Sequence, residues 1–371
     1  MPQRIPIAKP TLLGREREYV MDALDTGWIS SIGPYIDRFE KAFAEYHGVR
    51  HAITTHNGTI ALHLSLVAAG IGPGDEVIIP DLTFVATANA VRYCQAIPVL
   101  TDVNPLDWNI DLQAIRDKIT PKTKAIIPVH LYGNPVLMDE LVNLAKEHGL
   151  LIIEDCAEAI GALIRNQKVG TFGHIGCFSF FGNKVITTGE GGMCITNDDS
   201  IAENMRILRD HGMSRGKRYW YDVMGFNYRM TNMQAAVGFA QMEQLEFLLT
   251  ERDRIYAGYH ERLSSNSHFL FQDTHGNRNI NWLFTLRVKG LTSQQRDLLM
   301  TGLLEAGIDS RPVFYPIHQL PYYQETAFSR GKFPVSDRIS QEGISLPTFV
   351  GLRQEQLDVI TETLIRITET L

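Results

Sequence analysis

Five short apolar runs recur along the first half of the chain: His51–Thr55, Glu76–Pro80, Ile97–Val103, Lys124–His130 and Leu150–Asp155. Each is apolar nearly throughout instead of alternating, the pattern of strands covered on both faces. Between them lie helical patterns at Thr59–Ala69, Thr83–Tyr93, Asp111–Ile119 and Leu137–His148. Strand–helix alternation of this kind predicts a parallel sheet with right-handed crossovers. Two further runs, Gly176–Phe181 and Gly192–Asn197, lie close together and predict a local antiparallel addition. Upstream, Pro34 opens the segment PYIDRFEKAFAEYHG. Proline at the first helical position and glycine after the last turn mark its ends. Downstream, Met230–Arg262 is a long helical pattern with one weak interruption, and a polar stretch at about 264–280 predicts a domain junction. A strand at Trp282–Val288, a helix at Thr292–Ala306 and a terminal helix over Arg353–Leu371 follow. The expected architecture is α/β: a large, mostly parallel-sheet domain over residues 1–250 and a small α+β domain over 251–371.

Composition narrows the classes. A chain of 371 residues has room for two or three ordinary units, and 44% hydrophobic with 21% charged residues is an ordinary globular balance. A net charge of −7 argues against a general nucleic-acid binder. No run reaches membrane-span length, and MPQRIPIAKP lacks the apolar core of a signal peptide. Cys94, Cys156, Cys177 and Cys194 form no CxxC pair, so neither a disulfide framework nor a structural metal is expected, and a reducing cytoplasm fits.

In an open parallel sheet, ligands gather at the carboxyl ends of the strands. Four features fall there. Asn57-Gly58-Thr59 follows the first strand and opens a helix, which suits either a phosphate or an ordinary N-cap turn. Asp155 closes a buried strand, where a carboxylate needs a positive partner, a metal or a helix start to cap. Lys184 sits beyond an apolar strand beside a Gly-rich turn, where a lysine sheds its proton more easily, as a Schiff-base lysine must. Taken alone it reads more readily as a surface lysine. Asn227 and Arg229, in GFNYRMTNMQAA, precede a helix for which Thr231 is the natural cap. The acidic run from Asp102 to Asp111 imitates a calcium loop in spacing, but Leu106 stands where glycine must turn and Pro105 lies inside, so it reads as a strand exit.

In combination these blocks become specific. The chain resembles the DegT/StrS nucleotide-sugar aminotransferases, within the aspartate-aminotransferase fold (fold type I) of pyridoxal-phosphate enzymes. The resemblance runs from about residue 5 to the C-terminus through NGTIALHL, PDLTFVATANAV, PVHLYGNP, IEDCAEAIGA, FSFFGNKVITTGEGGM, GFNYRMTNMQAA and RPVFYPIHQLPYY. It implies pyridoxal 5'-phosphate as cofactor, with Lys184 forming the internal aldimine and Asp155 pairing with the protonated ring nitrogen. It further implies Phe84 stacked on the ring, Gly58, Thr59 and Ser179 cradling the phosphate, and Asn227 reaching the phosphate of a neighbouring subunit. A homodimer with shared sites follows. Glu158 stands near the cofactor's phenolic oxygen, where relatives usually carry Gln or His; an acid there must be protonated or paired.

Within the family, EDCAEA, LDTGWISS, KRYWYD and FNYRMTN are similar to the branch that aminates a GDP-linked sugar to form perosamine. The implied reaction moves the amino group of L-glutamate to C4 of GDP-4-keto-6-deoxymannose, a step of surface polysaccharide (O-antigen) biosynthesis. By the same resemblance the sugar nucleotide is lined by Trp28, Ser30, Lys217, Arg218, Tyr219, Arg311 and His318. Lys217 and Arg218 suit a pyrophosphate, or are two solvated charges. A UDP- or dTDP-linked 3- or 4-keto sugar is the alternative substrate. A non-catalytic regulator that binds the cofactor is the alternative class, and the intact set of Lys184, Asp155, Ser179 and Asn227 speaks against it.

Overall fold

The computed structural model describes residues 4–324 and 331–371. Its main sheet is built from β1 (His51–Thr55), β2 (Glu76–Pro80), β3 (Ile97–Thr101), β4 (Thr123–Ile126), β5 (Leu151–Asp155), β8 (Ile175–Ser179) and β9 (Gly192–Thr196), with a small hairpin of β6 (Leu163–Ile164) and β7 (Gln167–Lys168) after β5. The strand order is β1-β9-β8-β5-β4-β2-β3. All neighbours from β8 to β3 are parallel, whereas β9 runs antiparallel to both β1 and β8. The expected antiparallel pair is present as β8 with β9, but β8 also extends the parallel sheet from β5. Residues 156–174 are long enough to return the chain to the near end of the sheet, so β8 enters parallel to β5 and only β9 reverses.

The helices that cover this sheet are α1 (Glu16–Asp25), α2 (Pro34–His47), α3 (Gly58–Ala68), α4 (Ala86–Tyr93), α5 (Leu112–Arg116), α6 (Met138–His148) and α7 (Asp199–Arg209). Local chemistry sets several boundaries. Pro34 opens α2 and Gly48, left-handed at φ 69°, closes it. The long helical pattern after Met230 divides into α8 (Asn232–Glu243) and α9 (Leu245–Leu263) at Gln244, whose φ of −108° breaks the helix. Thr231 and Gln234 form a capping box at the start of α8. Alternate residues of the strands feed two separate cores. Ile78, Ile126 and Ile152 face one, and Val77, Ile79, Ala125, Ile127 and Ile153 face the other. That is the physical content of the unbroken apolar runs.

A second sheet holds β10 (Phe269–Leu270), β11 (Phe284–Val288), β12 (Arg311–Pro312) and β13 (Gly343–Leu346) in the order β10-β11-β13-β12, all antiparallel. Helices α10 (Ser293–Glu305), α11 (Pro321–Gln324), α12 (Pro334–Glu342) and α13 (Gln354–Thr368) complete this part of the chain. Leu357, Ile360 and Leu364 of α13 are fully buried in a third core with Phe284, Leu286 and Ile344. Each such side chain contributes roughly 1.5–3 kcal/mol of burial. Ile5 joins this core, and its N–H and C=O bond Gly307 and Asp309. The acidic run is used up locally. Asp102 accepts from the Val335 and Ser336 amides at the start of α12, and Asp111 caps α5 through the Ala114 N–H. Among the described residues, no helix is long and apolar enough to cross a membrane.

Candidate active site

The carboxyl ends of β1, β2, β5 and β8 open into a cavity of about 370 Å³. Gly58, Thr59, Phe84, Asp155, Glu158, Ser179 and Lys184 all line it, so folding brings together residues spread over more than a third of the sequence. A second cavity of about 530 Å³ adjoins it, sharing Phe84, Trp282 and Phe314 and adding Tyr132, Arg311 and Tyr315. Both fall in the size range of small-molecule sites.

Asp155 ends the central strand β5 and is buried. The Thr87 hydroxyl donates to its Oδ2 at 2.8 Å and the Ala157 N–H to its Oδ1 at 3.1 Å. Burial pushes the carboxyl pKa up, against the pull of these two bonds and of Lys184. A carboxylate accepts about four hydrogen bonds, so Asp155 has capacity left for a cationic N–H.

Lys184 Nζ lies 3.7 Å from Glu158 Oε1 and 3.8 Å from the centre of the Trp282 ring. The Trp282 indole N–H is fixed on the Asn183 carbonyl at 2.8 Å. Glu158 Oε2 accepts the Tyr132 N–H at 2.8 Å. Burial lowers the Lys184 pKa below that of a free lysine and raises Glu158 to about 7, so desolvation outweighs pairing at both ends of the bridge. The expectation that an acid at this position must be paired or protonated is met by the pairing.

At the start of α3 the Asn57 side chain accepts the Ile60 N–H at 2.9 Å, as an N-cap does. The first amides of the helix remain without intrahelical partners. Gly58 packs so closely on Ser179 that an added Cβ would meet its Cβ at 2.7 Å. A helix N-terminus with a glycine and a serine hydroxyl is a cradle for a phosphate. Lysine, buried carboxylate, exposed aromatic face and cradle together fit pyridoxal phosphate.

The remaining expected residues lie elsewhere in this chain. Asn227 is exposed and bridges to Asp210, outside the cavity. The Trp28 and Ser30 carbonyls accept from the side chain and backbone of Asn232. Lys217 sits 3.9 Å over the Trp220 ring, and Arg218 lies 5.0 Å from the ring of Tyr219. Arg311 lines the adjoining cavity and pairs with Asp309 at 3.1 Å. His318 lines neither cavity: Asp81 holds its Nδ1 at 2.7 Å and Asp337 its Nε2 at 3.3 Å, with Phe333 stacked on the ring. Two carboxylates from distant segments, invisible in the local sequence, hold it there.

Thr87, Tyr132, Trp282 and Phe314 belong to the site and were not anticipated. Tyr132 carried a usable signal, its place before Gly133 in the block PVHLYGNP; the structure gives it φ 56°. The nearest approach to a metal set among the described residues is His130, Glu154 and Cys156. The donors of His130 and Glu154 are engaged. The Val136 N–H donates to His130 Nδ1, which leaves Nε2 protonated toward Glu154 at 3.1 Å. Glu154 also takes the amides of Gly170, Phe172 and Gly173.

Residues 10–365 match the DegT/DnrJ/EryC1/StrS aminotransferase family. The chain is 48% identical over 370 residues to the GDP-perosamine synthase of Caulobacter vibrioides, covering 98% of each. It is 44% identical over 356 residues to the GDP-perosamine synthase of Vibrio cholerae, covering 96% of this chain and 97% of the relative. The structure of a Helicobacter pylori aminotransferase involved in pseudoaminic acid biosynthesis superimposes with a TM-score of 0.93 at 28% identity, over 100% of both chains. The fold is that of the pyridoxal-phosphate aminotransferases. With a lysine, an aspartate and a helix-start cradle meeting in one cavity of that fold, the chain belongs to the DegT/DnrJ/EryC1/StrS aminotransferase family.

Proposed function

We propose that this chain transfers the amino group of L-glutamate to C4 of GDP-4-keto-6-deoxy-D-mannose, giving GDP-perosamine and 2-oxoglutarate. The chain is a transaminase, and its cofactor is pyridoxal 5'-phosphate. The observation that carries the reading is the convergence of Lys184, Asp155, Ser179 and Gly58 on one cavity. The near full-length similarity to GDP-perosamine synthases supports the choice of sugar.

When bound, the cofactor supplies a ring that withdraws electrons from the carbon losing its proton. Asp155 holds the proton on the ring nitrogen, with Thr87 and Ala157 fixing its two oxygens. Lys184 Nζ takes and returns the proton at the substrate carbon, because burial makes its ammonium easier to deprotonate than that of a free lysine and its tether keeps it in reach. Glu158 balances the charge of that ammonium. Phe84, Trp282 and Phe314 wall the cavity. The enzyme works in the cytoplasm as a homodimer whose partner supplies Asn227 to the phosphate cradle.

The test is a single turnover read by absorbance. Enzyme loaded with cofactor is converted by glutamate to the amino form, freed of excess, and mixed with GDP-4-keto-6-deoxymannose. Return of the visible band of the aldehyde form is expected. A band restored only by UDP- or dTDP-linked keto sugars would move the substrate and keep the amino transfer. A band that glutamate never bleaches would overturn the donor.

A further inference from the structure

Trp282 reaches the cofactor cavity from the segment 271–283 that joins β10 to β11. It is buried and held from several sides. Its backbone N–H donates to the Tyr132 carbonyl at 3.2 Å and its indole N–H to the Asn183 carbonyl at 2.8 Å. Its own carbonyl accepts Arg252 Nη1 at 2.6 Å. Two positions earlier, the Ile280 N–H donates to the Gly133 carbonyl at 3.3 Å. Between them Asn281 is left-handed at φ 49°, a conformation that persists where its surroundings fix the chain on both sides.

A buried tryptophan where two sheets meet has an ordinary explanation in packing, and its N–H needs an acceptor wherever it is buried. Packing does not account for what the ring faces. Lys184 Nζ lies 3.8 Å over its centre, well inside the roughly 6 Å at which an aromatic face attracts a cation. Glu158 Oε1 lies 3.7 Å from the same nitrogen. Nor does packing account for Arg252. It is buried in α9, has no carboxylate partner among the described residues and leaves Nε without an acceptor. Burial lowers its pKa to about 10. A guanidinium so placed is costly, and its hydrogen bond goes to the Trp282 carbonyl.

We propose that Trp282 is a positioning residue for Lys184: its ring holds the lysine's ammonium beside Glu158 whenever the lysine is not bonded to the cofactor, and Arg252 fixes that ring from α9. Anchoring through Asn183 ties the ring to the residue next to Lys184, so ring and lysine keep one geometry. A lysine has four rotatable side-chain bonds, and a face that attracts its charged end confines it near the reacting carbon. The attraction acts on the ammonium and fades on the free amine. The amine that accepts the substrate proton is thus drawn back to the ring once protonated. The inference rests on the reading of Lys184 as the proton carrier.

The experiment measures the pH at which the Lys184 amine becomes reactive in the full-length, cofactor-free protein. Trace acetic anhydride labels free amines, and peptide mass spectrometry reads the extent at Lys184 across pH. Wild type is compared with Trp282→Leu and with protein carrying a multiply fluorinated tryptophan at position 282, which keeps the ring's shape and N–H but drains the charge from its face. Glu158, Asp155 and Arg252 also act on Lys184, but they are common to all three proteins, so a difference in midpoint reports the ring. Loss of a group that favours the ammonium lowers its pKa. The midpoint should fall by roughly half a unit to one and a half units in Trp282→Leu, and in the same direction with the fluorinated ring. A midpoint that fluorination leaves unchanged overturns the proposal. The fluorinated protein keeps the test alive if Trp282→Leu fails to fold. Bleaching of the cofactor band by glutamate, measured on cofactor-loaded samples of the same proteins, reports separately on the transaminase: bleaching with an unmoved midpoint sinks only the role of Trp282, whereas wild type that does not bleach sinks the reading of Lys184 whatever the midpoint.

Discussion

Lys184 Nζ and Glu158 Oε1 lie 3.7 Å apart in the lining of the cavity, both side chains nearly removed from solvent. The pair places a base and an acid, each displaced toward neutrality by burial, beside the buried carboxylate of Asp155. Several consequences of this arrangement can be measured.

Lys184→Ala removes the only lysine among the described residues that line the cavity. Amino transfer should fall by at least the 10²–10⁴-fold typical of losing a positioned acid–base group. The visible cofactor band should also be lost. Retained turnover in a cofactor-loaded sample would remove Lys184 from the reaction.

Glu158 binds its proton more tightly in the folded protein than in the unfolded chain, since its pKa rises from 4.5 to about 7. Its contribution to stability is therefore complete below pH 4.5 and is lost as the pH rises through about 7. Glu158→Gln should relieve that loss. In urea unfolding of the cofactor-free protein, the variant should gain on wild type by about 1–3 kcal/mol at pH 8 relative to pH 5. A difference that does not change with pH would place the proton on another group.

Thr87→Val deletes one of the two bonds that steady Asp155. That bond lowers the Asp155 pKa, so its loss should raise it further. The acid limb of the kcat/KM profile should move to higher pH with the fold intact. An unshifted limb would show that the cofactor nitrogen alone sets the ionisation of Asp155.

Gly58→Ala forces a Cβ to within 2.7 Å of Ser179 Cβ, both on backbone that cannot swing away. A loss of about 1–3 kcal/mol is expected from such overpacking. It should appear as faster cofactor release in dialysis and a lower Tm. Unchanged retention would mean that the cradle yields more easily than its packing suggests.

Asn227 is outside the cavity of its own chain. If the partner subunit uses it, mixing inactive Lys184→Ala with Asn227→Asp chains rebuilds one intact site in each mixed dimer. Statistical mixing should then yield about a quarter of wild-type turnover, above either parent. Absence of recovery after confirmed exchange would make each site self-contained.

The sequence by itself determined what local chemistry controls. Unbroken apolar runs specified β1, β2 and β5 to the residue or nearly so, because strands covered on both faces have no polar side to blur them. Pro34, Gly48, Asn57 and Thr231 marked helix ends, since a cap acts within one turn. Lys184 and Asp155 were legible because their blocks occur in a recognisable order along the chain. Short helices with weaker apolar faces, α1, α7 and α12, were passed over, although Asp198 caps α7 plainly. Tertiary structure alone decided the rest. It set β8 parallel to β5, gave Thr87 to Asp155 across the sheet and laid Trp282 of the C-terminal half against Lys184. It also drew His318 away from the cavities onto Asp81 and Asp337. Each of these depends on which distant segments share a layer, and that follows from strand order and packing, which no local window of sequence contains.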